Sequence, residues 1–257
     1  MPPRRRSTAW PAGSVLLLIL LLMVAGCSAD SAVREPGAAV TEAEAETLSR
    51  LLQRNYQRGG ADFVVTAPYG SEVVLTMTGE VDFRRSQGRG QLVTSYGDDR
   101  PDDTATVLFS SDELWMGDVP RLAEALEETG VDASYLRRPL EARGRADLVD
   151  VLVRVVLDLS RARADDPRAF RDGDWTWGGQ RSIDSRLSAV FADAAGATVA
   201  VDAADDLLLQ YVTPLPGQPF EVTVTLADHG PVSIALPGAA ETADVSEHPE
   251  LADAVGF

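Results

Sequence analysis

The feature that most limits what this chain can fold into is an alternating run over residues 72–83. Val73, Leu75, Met77, Gly79, Val81 and Phe83 alternate with Glu72, Val74, Thr76, Thr78, Glu80 and Asp82. A period of two sends successive side chains to opposite faces of a strand. One face here is apolar and the other mostly polar, which predicts an antiparallel sheet covered on one side. The same alternation returns in Phe220, Val222, Val224 and Leu226, set between Glu221, Thr223 and Thr225. It continues in Val232, Ile234 and Leu236 after Asp228-His229-Gly230, which reads as a turn between two strands.

Between these runs the pattern predicts a meander of short strands. Gly88-Arg89-Gly90 reads as a turn, with strands over 91–96, 104–110 and 113–116 and an acidic turn over 97–103. After Gly178-Gly179, strands are expected over 181–191, 197–201 and 207–213. Helical periodicity appears in three places. Residues 41–57 carry Leu48, Leu51, Leu52 and Tyr56 on one stripe, with Thr41 and Glu44 spaced as a capping box and Gly59-Gly60 as the stop. Residues 119–129 form a short helix ending at Gly130. Residues 147–163 carry Leu148, Val151, Leu152, Val155, Val156 and Leu159 on one broad face, ending at Asp165-Asp166-Pro167. Runs of strands separated by a helical block indicate an α+β fold: a curved antiparallel sheet, an unclosed half-barrel, wrapped around a few helices.

The first residues have a different logic. Arg4, Arg5 and Arg6 precede an uninterrupted Val, Leu, Ile and Met run over 15–24, followed by Ala25, Gly26 and Cys27. Ten residues of helix cover about 15 Å, half of the roughly 30 Å hydrocarbon layer. This is an export signal, not a spanning helix. Val24-Ala25-Gly26-Cys27 resembles the bacterial lipobox, and the sole cysteine falls at the position that accepts a diacylglyceryl group. The resemblance implies cleavage before Cys27 and lipid anchoring at the outer face of the cell membrane. With no second cysteine, intramolecular disulfides are excluded.

Residues 1–26 read as the signal peptide and 27–38 as a lipidated flexible tether, broken by Pro36-Gly37. Residues 39–240 read as one domain and 241–257 as an acidic, mobile tail. The chain has 23 basic and 40 acidic residues, with no lysine. Removing residues 1–26 takes away three arginines and no acid, so the mature charge is 20 − 40 = −20. Such a body does not bind nucleic acid through phosphates and is repelled by anionic headgroups. The tether reaches about 18 Å as a random coil, beyond the Debye length of about 8 Å. The domain can stand off the membrane while remaining attached to it.

Element order and passages over 74–83 (VLTMTGEVDF), 207–212 and 220–237 (FEVTVTLADHGPVSIALP) resemble the LppX/LprG-type lipoproteins of actinobacteria. They also resemble the wider group sharing the fold of the lipoprotein carrier LolA. That resemblance implies a LolA-like half-barrel whose apolar cavity holds acyl chains of lipids or lipoglycans in transit. A membrane transporter is the further partner it implies. The candidate lining is Val73, Leu75, Met77, Val81, Phe83, Phe220, Val222, Val224 and Leu226, with Val151, Leu152 and Val155 from a lid helix. The alternative is a filled core, in a sensor or accessory lipoprotein that binds a membrane or envelope protein through an exposed patch. Aromatic residues at lining positions favour a narrow cavity.

No catalytic constellation is legible. His229 and His248 accompany no nucleophile motif, and two histidines without a second cysteine do not make a zinc site. The acidic pairs at Asp98, Asp102, Asp165 and Asp205 read as solvated turns, with weak calcium binding as the alternative. No enzyme activity, metal or cofactor is expected. Asp174-Trp175-Thr176-Trp177-Gly178-Gly179 is the most unusual patch, read either as packing or as a stacking surface for a sugar or headgroup.

Overall fold

The structure, a computed structural model, describes residues 34–70, 72–141, 146–215, 218 and 220–255. The chain divides into Met1–Glu35 and Pro36–Phe257, and the fold below is that of the second unit. The signal sequence, Cys27 and most of the tether lie outside the described residues.

β1 (Ala38–Ala39) leads into α1 (Glu42–Arg58). Thr41 Oγ1 accepts the Glu44 N–H at 3.3 Å, and the Thr41 N–H donates to Glu44 Oε2 at 2.8 Å, completing the capping box. Gly59 ends the helix at φ 106°, where a side chain is strained. β2 (Gly60–Pro68) starts at once, at a place where the sequence pattern predicts no strand. Its Ala61, Phe63, Val65 and Ala67 are all fully buried.

β3 (Val73–Asp82) and β4 (Gln87–Tyr96) form a long hairpin. The chain does not turn at Gly88-Arg89-Gly90: the turn is over 83–86, and these glycines sit in β4. Their lack of side chains serves packing. Gly90 faces Gly79 across the ladder, and a Cβ on Gly88 would lie 2.1 Å from the Phe109 ring. Phe109 and Phe63 fill this space with ring centroids 6.3 Å apart.

β5 (Asp103–Phe109) and β6 (Glu113–Gly117) continue the meander to α2 (Leu122–Thr129), and β7 (Tyr135–Pro139), another strand absent from the sequence expectation, follows. α3 (Leu148–Asp158) is capped by Asp147 and ends at Leu159, short of residue 163. The reason is a tertiary contact. Asn55 Nδ2, fully buried on α1, donates to the Leu159 carbonyl at 2.7 Å. The Arg161 and Asp165 N–H groups then donate to α1 carbonyls of Leu52 and Ser49 at 3.1 and 2.8 Å. Asp166 starts a new short helix, α4 (Pro167–Arg171), instead of merely ending the old one.

The expected strand over 181–191 is a hairpin. β8 (Thr176–Ile183) and β9 (Arg186–Ala192) are joined at Asp184 and Ser185, both with positive φ, the twist that tight hairpins favour. β10 (Thr198–Asp202) and β11 (Leu208–Pro214) follow as expected. β12 (Glu221–Gly230) does not turn back at Asp228-His229 but bulges there, with Asp228 at φ 46° and the register shifted between Ala227 and Gly230, and its pairing with β2 resumes at Gly230 opposite Gly60. Residues 231–238 are therefore not the second strand of a closing hairpin. Residues from 241 onward, read from the sequence as a tail, carry β13 (Thr242–Asp244) and α5 (Pro249–Val255).

The strand order is β1-β8-β9-β10-β11-β12-β2-β3-β4-β5-β6-β7-β13, thirteen strands in one sheet. Every pairing is antiparallel except that of β13 with β7. The meander before the helical block and the meander after it meet where β12 pairs with β2. The outermost strands do not meet, so the sheet is the expected unclosed one. Its inner face carries the main core, with Leu48 and Leu51 of α1 and Leu152, Val153 and Val156 of α3 packed against it. A smaller cluster joins Leu122, Leu126, Leu136, Ala243 and Leu251 under α2 and α5.

Candidate functional site

The inner face is largely filled. Of the residues expected to line a cavity, Leu75, Met77, Val81, Phe83, Leu152, Val222, Val224 and Leu226 are buried in the core itself. Phe220 packs against that core half-buried, while Val73 and Val151 are half-buried and stand apart from it. Val155 borders an open space among the described residues.

That space is an apolar pocket of about 370 Å³ between α1, α3, the 160–175 segment and strands β10 and β11. Each wall has a local cause. α1 presents Leu48, Leu51 and Leu52, three residues of its apolar stripe. α3 presents Val155, one turn beyond Leu152, and its C-terminal cap Leu159, two turns beyond. β10 and β11 contribute Val199, Leu208 and Tyr211. The fourth side is the segment that follows α3, held down by its two backbone hydrogen bonds to α1. It carries Phe170 and Trp175, whose rings meet at 5.4 Å with planes tilted by 50°. Trp175 and Trp177 thus act as packing residues against the core, not as one exposed stacking surface.

The rim is polar. Asp158, Arg161 and Asp165 border the pocket, with Arg161 paired to Asp165 at 3.1 Å. Nothing at this rim resembles a reaction centre: no histidine or cysteine lines it, and its charged groups oppose one another. Among the described residues, no three histidine, cysteine, aspartate or glutamate side chains come together to hold a metal ion. The acidic turns are occupied by arginine: Asp98 by Arg100 at 2.9 Å, Asp166 by Arg168 at 2.6 Å, and Asp202 and Asp205 by Arg186. Arg168 holds the Asp166 carboxyl well down, to about 2.

His229 is not in a turn. It sits near the end of β12 with neither ring nitrogen reached by solvent or by a hydrogen-bond partner. Burial, and then the positive charges of Arg186 and Arg58, lower its pKa to about 4. The Leu208 backbone opposes this slightly without reaching hydrogen-bond geometry. The ring is neutral and lies apart from the pocket.

Of the pocket's residues only Val155 belongs to the lining expected from the sequence. Leu48, Leu51, Leu52 and Leu159 are legible as helix stripes but not as pocket walls, Trp175 stands out only as part of the unusual 174–179 patch, and Phe170 falls in no periodic run.

The sequence matches no protein-family model, and no curated relative is found. Among solved structures, the fold is similar to the crystal structure of MucB, at 15% identity and a TM-score of 0.40, over 78% of this chain and 64% of that one. It is also similar to the Pseudomonas aeruginosa MucA/MucB complex, at 16% identity and a TM-score of 0.35, over 77% and 61%. A third is MucB in complex with MucA(peri), at 13% and 0.34, over 76% and 60%. The chain spans less than two thirds of the length of each of these structures.

Proposed function

We propose that this protein is a lipid-anchored binding protein of the bacterial envelope, tethered through Cys27, that holds one acyl chain of a lipid or lipoglycan in the pocket beside Trp175. The observation that carries the reading is an apolar pocket at the margin of the core, backed by the buried Leu48, Leu51, Leu159 and Leu208 and opening between the half-buried Leu52, Val155, Phe170, Trp175 and Tyr211. An acyl chain in water costs about 0.8 kcal/mol for each exposed methylene, so an apolar sleeve of this kind favours transfer. At about 370 Å³ the pocket lies at the low end of the roughly 300–1,000 Å³ usual for small-molecule sites, which suits one chain and not several. The rim charges Asp158, Arg161 and Asp165 stay in water, where a polar headgroup would remain.

The export signal and the lipobox-like Val24 to Cys27 support placement at the outer face of the cell membrane. Two acyl chains on Cys27 would anchor the protein stably. The LppX/LprG-type resemblance supports a role in moving lipid through the envelope.

The test is uptake of a fluorescent fatty acid. Val155→Trp and Leu52→Trp, each placing an indole in the pocket, are expected to weaken uptake at least tenfold with an unchanged fold by circular dichroism. Val64→Trp, on the opposite face of the sheet, is expected to leave it unchanged. Uptake unaffected by both pocket substitutions would remove this pocket as the acyl site.

A further inference from the structure

The outer face of the sheet holds a larger groove, of about 770 Å³, unconnected with the acyl pocket in any lining residue. It crosses β12, β2, β3, β4 and β5, about 19 Å at the usual strand spacing. Its floor includes Val64, one of two large apolar side chains that are conspicuously exposed among the described residues, at 40%. Its charge is uneven. Glu80 is met by Arg89 at 2.6 Å, but the carboxylates of Asp62 and Asp184 have no ion pair or hydrogen bond among the described residues.

One wall is the 231–238 segment. A Cβ on Gly60 would lie 2.7 Å from Val232, so the segment begins over the outer side of β2. It ends at β13, beyond β7, so it crosses the outer side of the sheet, and Ala235 borders the groove. The segment behaves as a strand in every respect but one. Ile234 is buried and Val232 and Leu236 half-buried, while Ser233 and Ala235 are exposed, the alternation of a β-strand. Yet no backbone group from Val232 to Leu236 enters a hydrogen bond among the described residues. A strand-like segment with an unused ladder, beside a groove, is the arrangement that accepts an added strand.

We propose that this groove docks an extended, positively charged peptide segment of a partner protein, which pairs with the 232–236 backbone while its basic side chains meet Asp62 and Asp184. The backbone ladder selects an extended polypeptide, and the two unpaired carboxylates select its charge. Exposed Val64 gives a small apolar side chain between them a place to sit.

The test uses full-length protein in detergent and an acetylated peptide of about eight alternating Lys and Val residues, followed by fluorescence anisotropy and amide hydrogen exchange. Saturable binding is expected, with slowed exchange at residues 232–236. Asp62→Lys with Asp184→Lys should weaken it at least tenfold while fatty-acid uptake and the unfolding midpoint stay unchanged. The same peptide N-methylated at alternate residues should also bind at least tenfold more weakly, because it cannot complete the ladder. Asp99→Lys with Asp102→Lys, in an acidic turn outside the groove, should have no effect. Absence of binding, equal binding of the N-methylated peptide, or equal loss with the two charge-reversal pairs would overturn the proposal. The last result would mean attraction to the acidic body as a whole.

Discussion

A Cβ on Gly79 would lie 2.0 Å from the Arg89 carbonyl oxygen, as close as one on Gly88 would come to the Phe109 ring. Gly79 lets the backbone of β4 approach and Gly88 makes room for an aromatic ring, and for Gly88 sequence alone does not distinguish that use from a turn. His229 shows the same ambiguity, since Asp-His-Gly suits a turn, and here the same left-handed Asp228 makes a bulge in a strand whose pairing resumes at Gly230. Its burial has a measurable consequence. The folded ring holds its pKa at about 4, below the ordinary 6.5, so the unfolded chain takes up a proton that the folded one refuses between those values. Stability is full above about pH 6.5 and is lost as pH falls towards 4. The gap is worth at most about 3–4 kcal/mol, and because the residue is only half-buried outside its ring nitrogens the contribution is about 1–2 kcal/mol. His229→Leu should therefore flatten the stability profile over that window, read from urea unfolding at several pH values. A slope identical to that of the parent protein would show that the histidine titrates freely.

At the scale of elements, what carried a regular period was legible. The helix over 41–57, the strand over 72–83 and the strands at β5, β6, β10 and β11 all appear close to their expected bounds. What failed did so where partners, not periodicity, decide structure. β2 has an inward row of Ala61, Phe63, Val65 and Ala67, half of it too small to announce a strand, yet it lies at the centre of the sheet. Residues 231–236 have the right alternation but no partner strand. The C-terminal stretch is acidic overall, and that composition masks Ala243 and Leu251, which close the smaller core under α2. Leu251→Ala should cost about 2–5 kcal/mol locally, the range for a fully buried leucine. Hydrogen exchange should accelerate at β13 and β7 while β2 and β3 stay protected. Unchanged exchange at β13 would return the segment to the status of a tail.

At the scale of the whole molecule, the alternation of strand runs with a helical block was enough to infer a single unclosed sheet around helices. It was not enough to place the cavity. Alternating apolar residues line filled cores and open pockets alike, and most of the expected lining went into the core. The open space lies instead where α1, α3 and the pinned 160–175 segment stand off from β10 and β11. Its walls come from four separate stretches of chain, a coincidence that no local period encodes. The candidate acyl site and the outer groove occupy opposite faces of the sheet, so a lipid and a protein segment could be held at once. The most direct test of the acyl-binding account is native mass spectrometry of protein purified from the cells that make it, with extraction of bound lipid. The account predicts one lipid per folded protein beyond the covalent anchor, and its loss in Val155→Trp. Folded protein that carries no acyl ligand, before or after incubation with fatty acid, would contradict it.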